Sequence, residues 1–246
     1  KKRTVTQIEK NGYPDSIYLN AAKIFQGIHI EKSKERMRVQ YGNISESPMM
    51  AFKDEHSRRL SYELAFNGLK YQDLLEEILL DSGTYPCYAI PDELTSLLVV
   101  MLYDLQDRKF QKRKIFDEEE VVTDVQEIEH YLYRYMIKLA AALARLRIKH
   151  DALSIEYFVP ETLRKQEQKA SALPVYVWIN TFKISLEDAM RDLEMKGLTN
   201  VKSVSDFDHY TYAVDHHCHD VLVFPSSLKE QLLNLDLFAD CKLMLQ

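Results

Sequence analysis

Leu173-Pro174-Val175-Tyr176-Val177-Trp178-Ile179-Asn180-Thr181-Phe182-Lys183-Ile184-Ser185 marks the point at which this chain changes texture. Residues 175–179 read as a strand, apolar and aromatic throughout. Ser185 with Asp188 resembles a capping box and opens a helix. Leu186, Ala189, Met190 and Leu193 line one face of that helix, and Gly197 supplies its stop. Residues 199–204 and 210–214 are weaker strand candidates, and residues 221–224 are a strong one. Pro225-Ser226-Ser227 starts a short helix, and residues 242–245 form a last strand. Strands and helices alternating in this way predict a small α/β or α+β sandwich.

Working upstream, residues 1–150 read as helices. Asp15 and Ser16, after Pro14, offer a cap for a helix through about Gln26, with Gly27 as its stop. Residues 31–55 are polar and irregular. A helix is expected from about residue 53 to residue 80, with Leu60, Leu64, Tyr71, Leu75 and Ile78 on one face; Ser82-Gly83 ends it. Pro91-Asp92-Glu93 suits a first turn, because proline fixes φ and the acids favour the helix dipole. Leu94, Leu97, Leu98, Met101, Leu102 and Leu105 then recur at helical spacing. A last helix, about 125–149, has Leu132, Met136, Leu139, Leu143 and Leu146 as its seam. Residues 151–171 are mixed and read as a connecting helix or linker. The expected class is α+β: a helical domain over 1–150, the linker, and a small mixed domain over 172–246.

Composition narrows the function. The chain has 246 residues, 46% hydrophobic and 28% charged, the balance of a globular protein with enough length to bury its own core. No apolar run approaches the ~20 residues of a membrane span. A net charge of −6 excludes a wholly basic nucleic-acid coat but leaves room for local basic patches. Three cysteines (Cys87, Cys218 and Cys241) read as reduced thiols of an intracellular protein, nuclear or cytoplasmic. The six glycines are scattered, so no Gly-rich phosphate loop is present. The chain opens on Lys1-Lys2-Arg3 and closes on an apolar run, which suggests a segment of a longer protein.

Two basic features stand out. Arg108-Lys109-Phe110-Gln111-Lys112-Arg113-Lys114 carries five cations in seven residues and is followed by the acidic run Asp117-Glu118-Glu119-Glu120. On the helix after it, Arg134, Lys138, Arg145 and Lys149 fall within about 60° of one another. A solvated face on a bundle helix is the plainer reading of that stripe; a phosphate-facing surface is the other. His216-His217-Cys218-His219-Asp220 looks like a metal site, but adjacent residues on a strand face opposite ways and two ligands are too few, so a polar strand entrance is expected. Neither Cys218 nor Pro86-Cys87 has an orienting group or oxyanion hole at readable spacing. Trp178 either packs under a helix or stacks bases from an open sheet face.

The opening stretch, Leu173 to Ser185, resembles the segment that begins the RNA-recognition-like subdomain of Nol/Nop/Sun RNA cytosine-5 methyltransferases. Val221-Leu222-Val223-Phe224-Pro225 and Lys242-Leu243-Met244-Leu245-Gln246 fit the same subdomain. Leu60-Ser61-Tyr62-Glu63-Leu64, Met101-Leu102-Tyr103-Asp104-Leu105 and Lys138 to Leu146 resemble the NusB-like helical extension of some members. Gly12-Tyr13-Pro14-Asp15-Ser16, Ala22 to Gly27 and Arg147 to Ile155 point more narrowly, to one member of the animal branch. The resemblance implies S-adenosylmethionine as methyl donor for the full-length protein and two cysteines that attack cytosine and release product. All of that machinery belongs to a domain after Gln246, so no catalytic residue, metal ligand or cofactor contact is carried over to this segment. Where the family has Arg before Val-Asn-Thr, this chain has Trp178; Asn180, Thr181 and Lys183 are kept.

The expected function is therefore an accessory region that positions RNA through Lys109, Lys112, Arg113, Lys114, Arg134, Lys138, Arg145, Lys149 and Lys183. Its expected partners are RNA and the catalytic domain of its own chain, with no membrane. The alternative is a protein-interaction scaffold on a catalytically degenerate member, which the acidic net charge and Trp178 favour. A free-standing metal or thiol enzyme is a third reading and requires bound zinc.

Overall fold

The computed structural model describes residues 11–29, 39–42, 50–86, 90–114 and 121–245. The chain divides into two compact units, Lys1–Pro160 and Glu161–Gln246. The expected motif at Pro86-Cys87 and the acidic run 117–120 fall wholly or partly outside the described residues.

The described part of the first unit is helical: α1 (Asp15–Ile28), α2 (Glu55–Lys70), α3 (Gln72–Asp81), α4 (Thr95–Asp107) and α5 (Thr123–Lys149). Helix α1 runs through Gly27 rather than stopping there, and its flanking Pro14 makes no side-chain cap. Asp15 is turned inward instead, and its carboxylate accepts the backbone N–H of Val122 (3.0 Å). The single helix expected over 53–80 is two helices that meet at Tyr71. The break lets α2 pack on α1 and α4 while α3 packs on α4 and α5. Asp54 caps α2 by accepting the N–H of Ser57 (2.6 Å), and that bond holds its carboxyl below the usual range.

Helix α4 is the centre of the bundle. Its apolar spacing predicts one buried stripe, yet Thr95 to Gln106 are buried on every side. The reason is that α1, α2, α3 and α5 all pack against it. Val99 and Val100 fill the side that the stripe leaves out, and Tyr103 stacks on Tyr71 (5.7 Å, 12°). In α5, about 40 Å long, Leu132, Leu139, Leu143 and Leu146 are buried as the seam requires, and Met136 is partly buried. The segment expected as one linker divides in two. Val159 is buried in the first core, with Ile155 and Phe158 against it, whereas 161–172 form a helix of the second unit.

The second unit contains α6 (Glu161–Ala172), β1 (Val175–Ile179), α7 (Leu186–Met195), β2 (Thr199–Asn200), β3 (Thr211–Val214), β4 (Val221–Phe224), α8 (Lys229–Leu233), α9 (Asp236–Ala239) and β5 (Leu243–Leu245). The sheet order is β2-β3-β4-β1-β5, antiparallel except for β2 against β3. Apart from the two-residue β2, this is a β-α-β-β-α-β arrangement with its first strand inside the sheet. Ser185 realises the expected cap by accepting the N–H of Asp188 (3.1 Å). Val175, Val177, Ile179, Tyr212, Leu222, Phe224 and Leu243 face the helices and form one core with Ala189, Leu193, Leu228, Leu232 and Leu237.

Candidate nucleic-acid interface

The basic run after α4 is sorted by the backbone. Arg108 caps α4, and Lys109 and Phe110 both adopt left-handed φ (56° and 58°), which reverses the chain. Arg108 turns inward, and its Nε donates to Asp104 Oδ2 (2.9 Å) with both side chains nearly inaccessible. Tyr18 also donates its hydroxyl to Asp104. Burial raises the Asp104 pKa, and the Arg108 charge and these hydrogen bonds counter only part of that rise.

Arg113 is also spent inside the bundle. Its Nη1 lies 2.6 Å from Asp15, its Nε 2.6 Å from Glu129, and Nη1 also donates to the carbonyl of Tyr13 (2.9 Å). The side chain is only 12% exposed, so it is not presented to a phosphate, contrary to the reading of the run as one patch. Gly12 permits this packing: it has φ +84°, and a Cβ there would lie 2.6 Å from that of Arg113. Burial alone would weaken the guanidinium charge, but Glu129 and Asp15 reverse that and raise its pKa. Lys109, Lys112 and Lys114 remain at the surface.

The four cations of α5 are all exposed but are not equivalent. Arg145 is ion-paired to Asp81 of α3 (2.7 Å), and Lys149 approaches Glu77 (3.8 Å). The solvated-face reading therefore fits that half of the stripe. Arg134 and Lys138 both lie over the ring of Tyr135 (5.6 and 5.7 Å to its centroid), and Lys112 lies over Tyr133 (5.5 Å). Beside them, a groove of about 690 Å³ runs along the N-terminal half of α5, with His130, Tyr131, Tyr133, Arg134 and Tyr135 in its lining. Glu127 and Glu129 also line it, but Glu129 accepts from Arg113 and Tyr133. These tyrosines were not expected as site residues, although Tyr131-Leu132-Tyr133-Arg134-Tyr135 displays their interleaving with a cation.

In the second unit, Tyr176 and Trp178 alternate with the buried residues of β1 and are 40% and 39% exposed. Trp178 alternates with the core residues of β1, so it stands on the sheet face away from that core, opposite Met244 of β5. Lys183 is exposed, but its Nζ donates to the carbonyl of Asp240 (2.9 Å), next to the bond from Asn180 Nδ2 to the carbonyl of Cys241 (3.0 Å). The histidine cluster is a turn between β3 and β4 and leads directly into β4, the polar strand entrance expected. Asp215 accepts the N–H groups of His217 (2.8 Å) and Cys218 (2.9 Å), which holds its carboxyl low.

Among the described residues, no group of three or more His, Cys, Asp or Glu side chains is placed to hold a metal, and no helix is long and apolar enough to cross a membrane. The described glycines stand singly, Gly12, Gly83 and Gly197 at positive φ. No Gly-rich loop stands among the described residues.

Residues 173–246 match the family model described as NOL1/NOP2/Sun domain family member 5, ferredoxin-like domain. The chain is 57% identical over 238 residues to a human protein named "Putative methyltransferase NSUN7". It is 54% identical over 240 residues to the mouse protein of the same name. Each alignment covers 97% of this chain and 33% of the relative, so the chain spans about one third of the length of these curated relatives. No solved structure matches the chain. The resemblance read from the sequence thus extends over nearly all of its residues.

Proposed function

We infer that this segment of a NOL1/NOP2/Sun-family protein positions RNA for a catalytic domain elsewhere in the full-length chain. That domain would transfer a methyl group from S-adenosylmethionine to C5 of cytosine. On this reading the helical unit is the NusB-like extension and the sheet unit is the RNA-recognition-like subdomain. The observation that carries it is the α5 groove, lined by Arg134, with Lys112 and Lys138 over the rings of its lining residues Tyr133 and Tyr135; none of the three cations has a carboxylate in salt-bridge distance among the described residues. Cations contact phosphates without reading sequence, and the half-buried rings of Tyr133 and Tyr135 hold these cations at the groove. Trp178 and Tyr176 give the second unit a stacking surface of its own.

Anisotropy titration of a labelled single-stranded RNA tests this directly. Each neutralised phosphate should lower log K by roughly 0.7 per log unit of salt. The variant K112E/R134E/K138E is expected to bind at least tenfold more weakly with a shallower salt slope. Equal binding by this variant and the parent would overturn the reading.

A further inference from the structure

The C-terminal half of α5 turns a second apolar surface outward. Ile137, Ala141, Ala144 and Ile148 follow at i, i+4, i+7 and i+11, so they form one ridge along about 16 Å of helix. The ridge lies on the side opposite Leu139, Ala142, Leu143 and Leu146, which are buried in the bundle. Ile137 is 83% exposed and Ile148 81%, and both alanines are exposed between them. With only methyl groups at its middle, the ridge allows another helix to approach closely.

The helix segment that carries the ridge is basic, and the carboxylates beside it, Asp81 and Glu77, belong to α3. Residues 137–149 contain Lys138, Arg145, Arg147 and Lys149 and no Asp or Glu. The pairs of Arg145 with Asp81 and of Lys149 with Glu77 are solvent-exposed, so another carboxylate can join or exchange with them at little cost.

We propose that this ridge docks an acidic amphipathic helix of a partner protein. Apolar residues of that helix at i, i+3 or i+4, and i+7 lie on Ile137 to Ile148, and its flanking carboxylates reach Lys138, Arg145 and Lys149. A second copy of this chain fits less well, because a paired ridge would set these cations against identical ones. Bases fit less well because the ridge carries no ring on which to stack. The proposal shares only Lys138 with the RNA reading, whose groove lies on the N-terminal half of α5, and I137Q/I148Q leaves Lys138 in place.

The test uses the whole chain and a fluorescein-labelled 20-residue peptide with leucines at i, i+4, i+7 and i+11 and glutamates beside them. The parent should bind it more tightly than a scrambled peptide. I137Q/I148Q should weaken binding at least tenfold while leaving RNA affinity unchanged, and replacing the peptide glutamates with lysines should abolish binding. Glutamine is a good helix former, so circular dichroism should show the variant folded as the parent. Peptide binding that is unaffected by I137Q/I148Q, or no preference over the scrambled peptide, would overturn the proposal. So would a dimer in analytical ultracentrifugation that I137Q/I148Q dissociates, which would assign the ridge to a second copy. Sedimentation with anionic phosphatidylserine vesicles that is lost in the same variant would assign it to a lipid surface instead.

Discussion

Arg108 and Asp104 form an ion pair one helical turn apart, Nε to Oδ2 at 2.9 Å, with side chains only 4% and 3% exposed. Removing Asp104 leaves the Arg108 guanidinium buried without its carboxylate. Asp104→Asn is expected to cost ~3–5 kcal/mol in urea denaturation, and replacing both residues by apolar ones of similar size should cost far less. An equal loss in the two variants would show that packing, not charge, governs the site.

Arg113 should behave as a structural residue and Lys112, its neighbour, as a surface one. Arg113→Glu would bring a third carboxylate to Asp15 and Glu129 and should lower the thermal midpoint by several degrees. Lys112→Glu should leave the midpoint within about a degree of the parent and weaken RNA binding instead. Paired thermal melts and anisotropy titrations separate the two outcomes.

Arg145→Glu sets a charge of the wrong sign against Asp81, but the pair is solvent-exposed. The expected loss is no more than about 1 kcal/mol by chemical denaturation. Its effect on RNA affinity should be smaller than that of Lys138→Glu, whose ammonium has Tyr135 rather than a carboxylate beneath it.

Trp178 is the single tryptophan of the chain, so its emission reports on the exposed sheet face alone. Single-stranded RNA stacked there should quench it. Trp178→Ala should weaken binding by ~1–3 kcal/mol with little change in stability. Unchanged emission at saturating RNA would remove this face from the interface.

Asp215 gives a pH dependence of known sign. Hydrogen bonds from the backbone of His217 and then Cys218 hold its native pKa below the unfolded value. Its contribution is therefore complete above the unfolded pKa, about 3.9, and is lost as pH falls through the native value. The His217 and Cys218 amides should gain solvent exchange in that acidic window, as measured by NMR. In Asp215→Ala they should already exchange at neutral pH.

The elements with strong local signals were legible in the sequence. The cap at Ser185, the alternation in residues 175–179 and the Leu132–Leu146 seam each depend on neighbours a few residues away. What could not be read depends on distant partners. Asn67-Gly68 stands just before the break at Tyr71, but the direction each helix takes follows from what α2 and α3 pack against. Arg113 looks like a surface cation until Asp15, 98 positions earlier, is folded beside it. Ile137 and Ile148 form a second apolar face of α5, on its solvent side, which the dominant Leu132–Leu146 seam masks in the sequence.

The turn after β1 also acts as a register gauge. Lys183 Nζ, Asn180 Nδ2 and the Asn180 N–H donate to the carbonyls of Asp240, Cys241 and Lys242, three in succession. Strand β5 has only three residues and lies at the sheet edge, where sliding is ordinarily cheap. A slip of one residue would break all three bonds together. It would also expose Leu243, now 1% accessible, and bury Met244, now 45% accessible. The pairing that sets Met244 beside Trp178 is thus fixed from outside the strand, by a turn some sixty residues away in sequence.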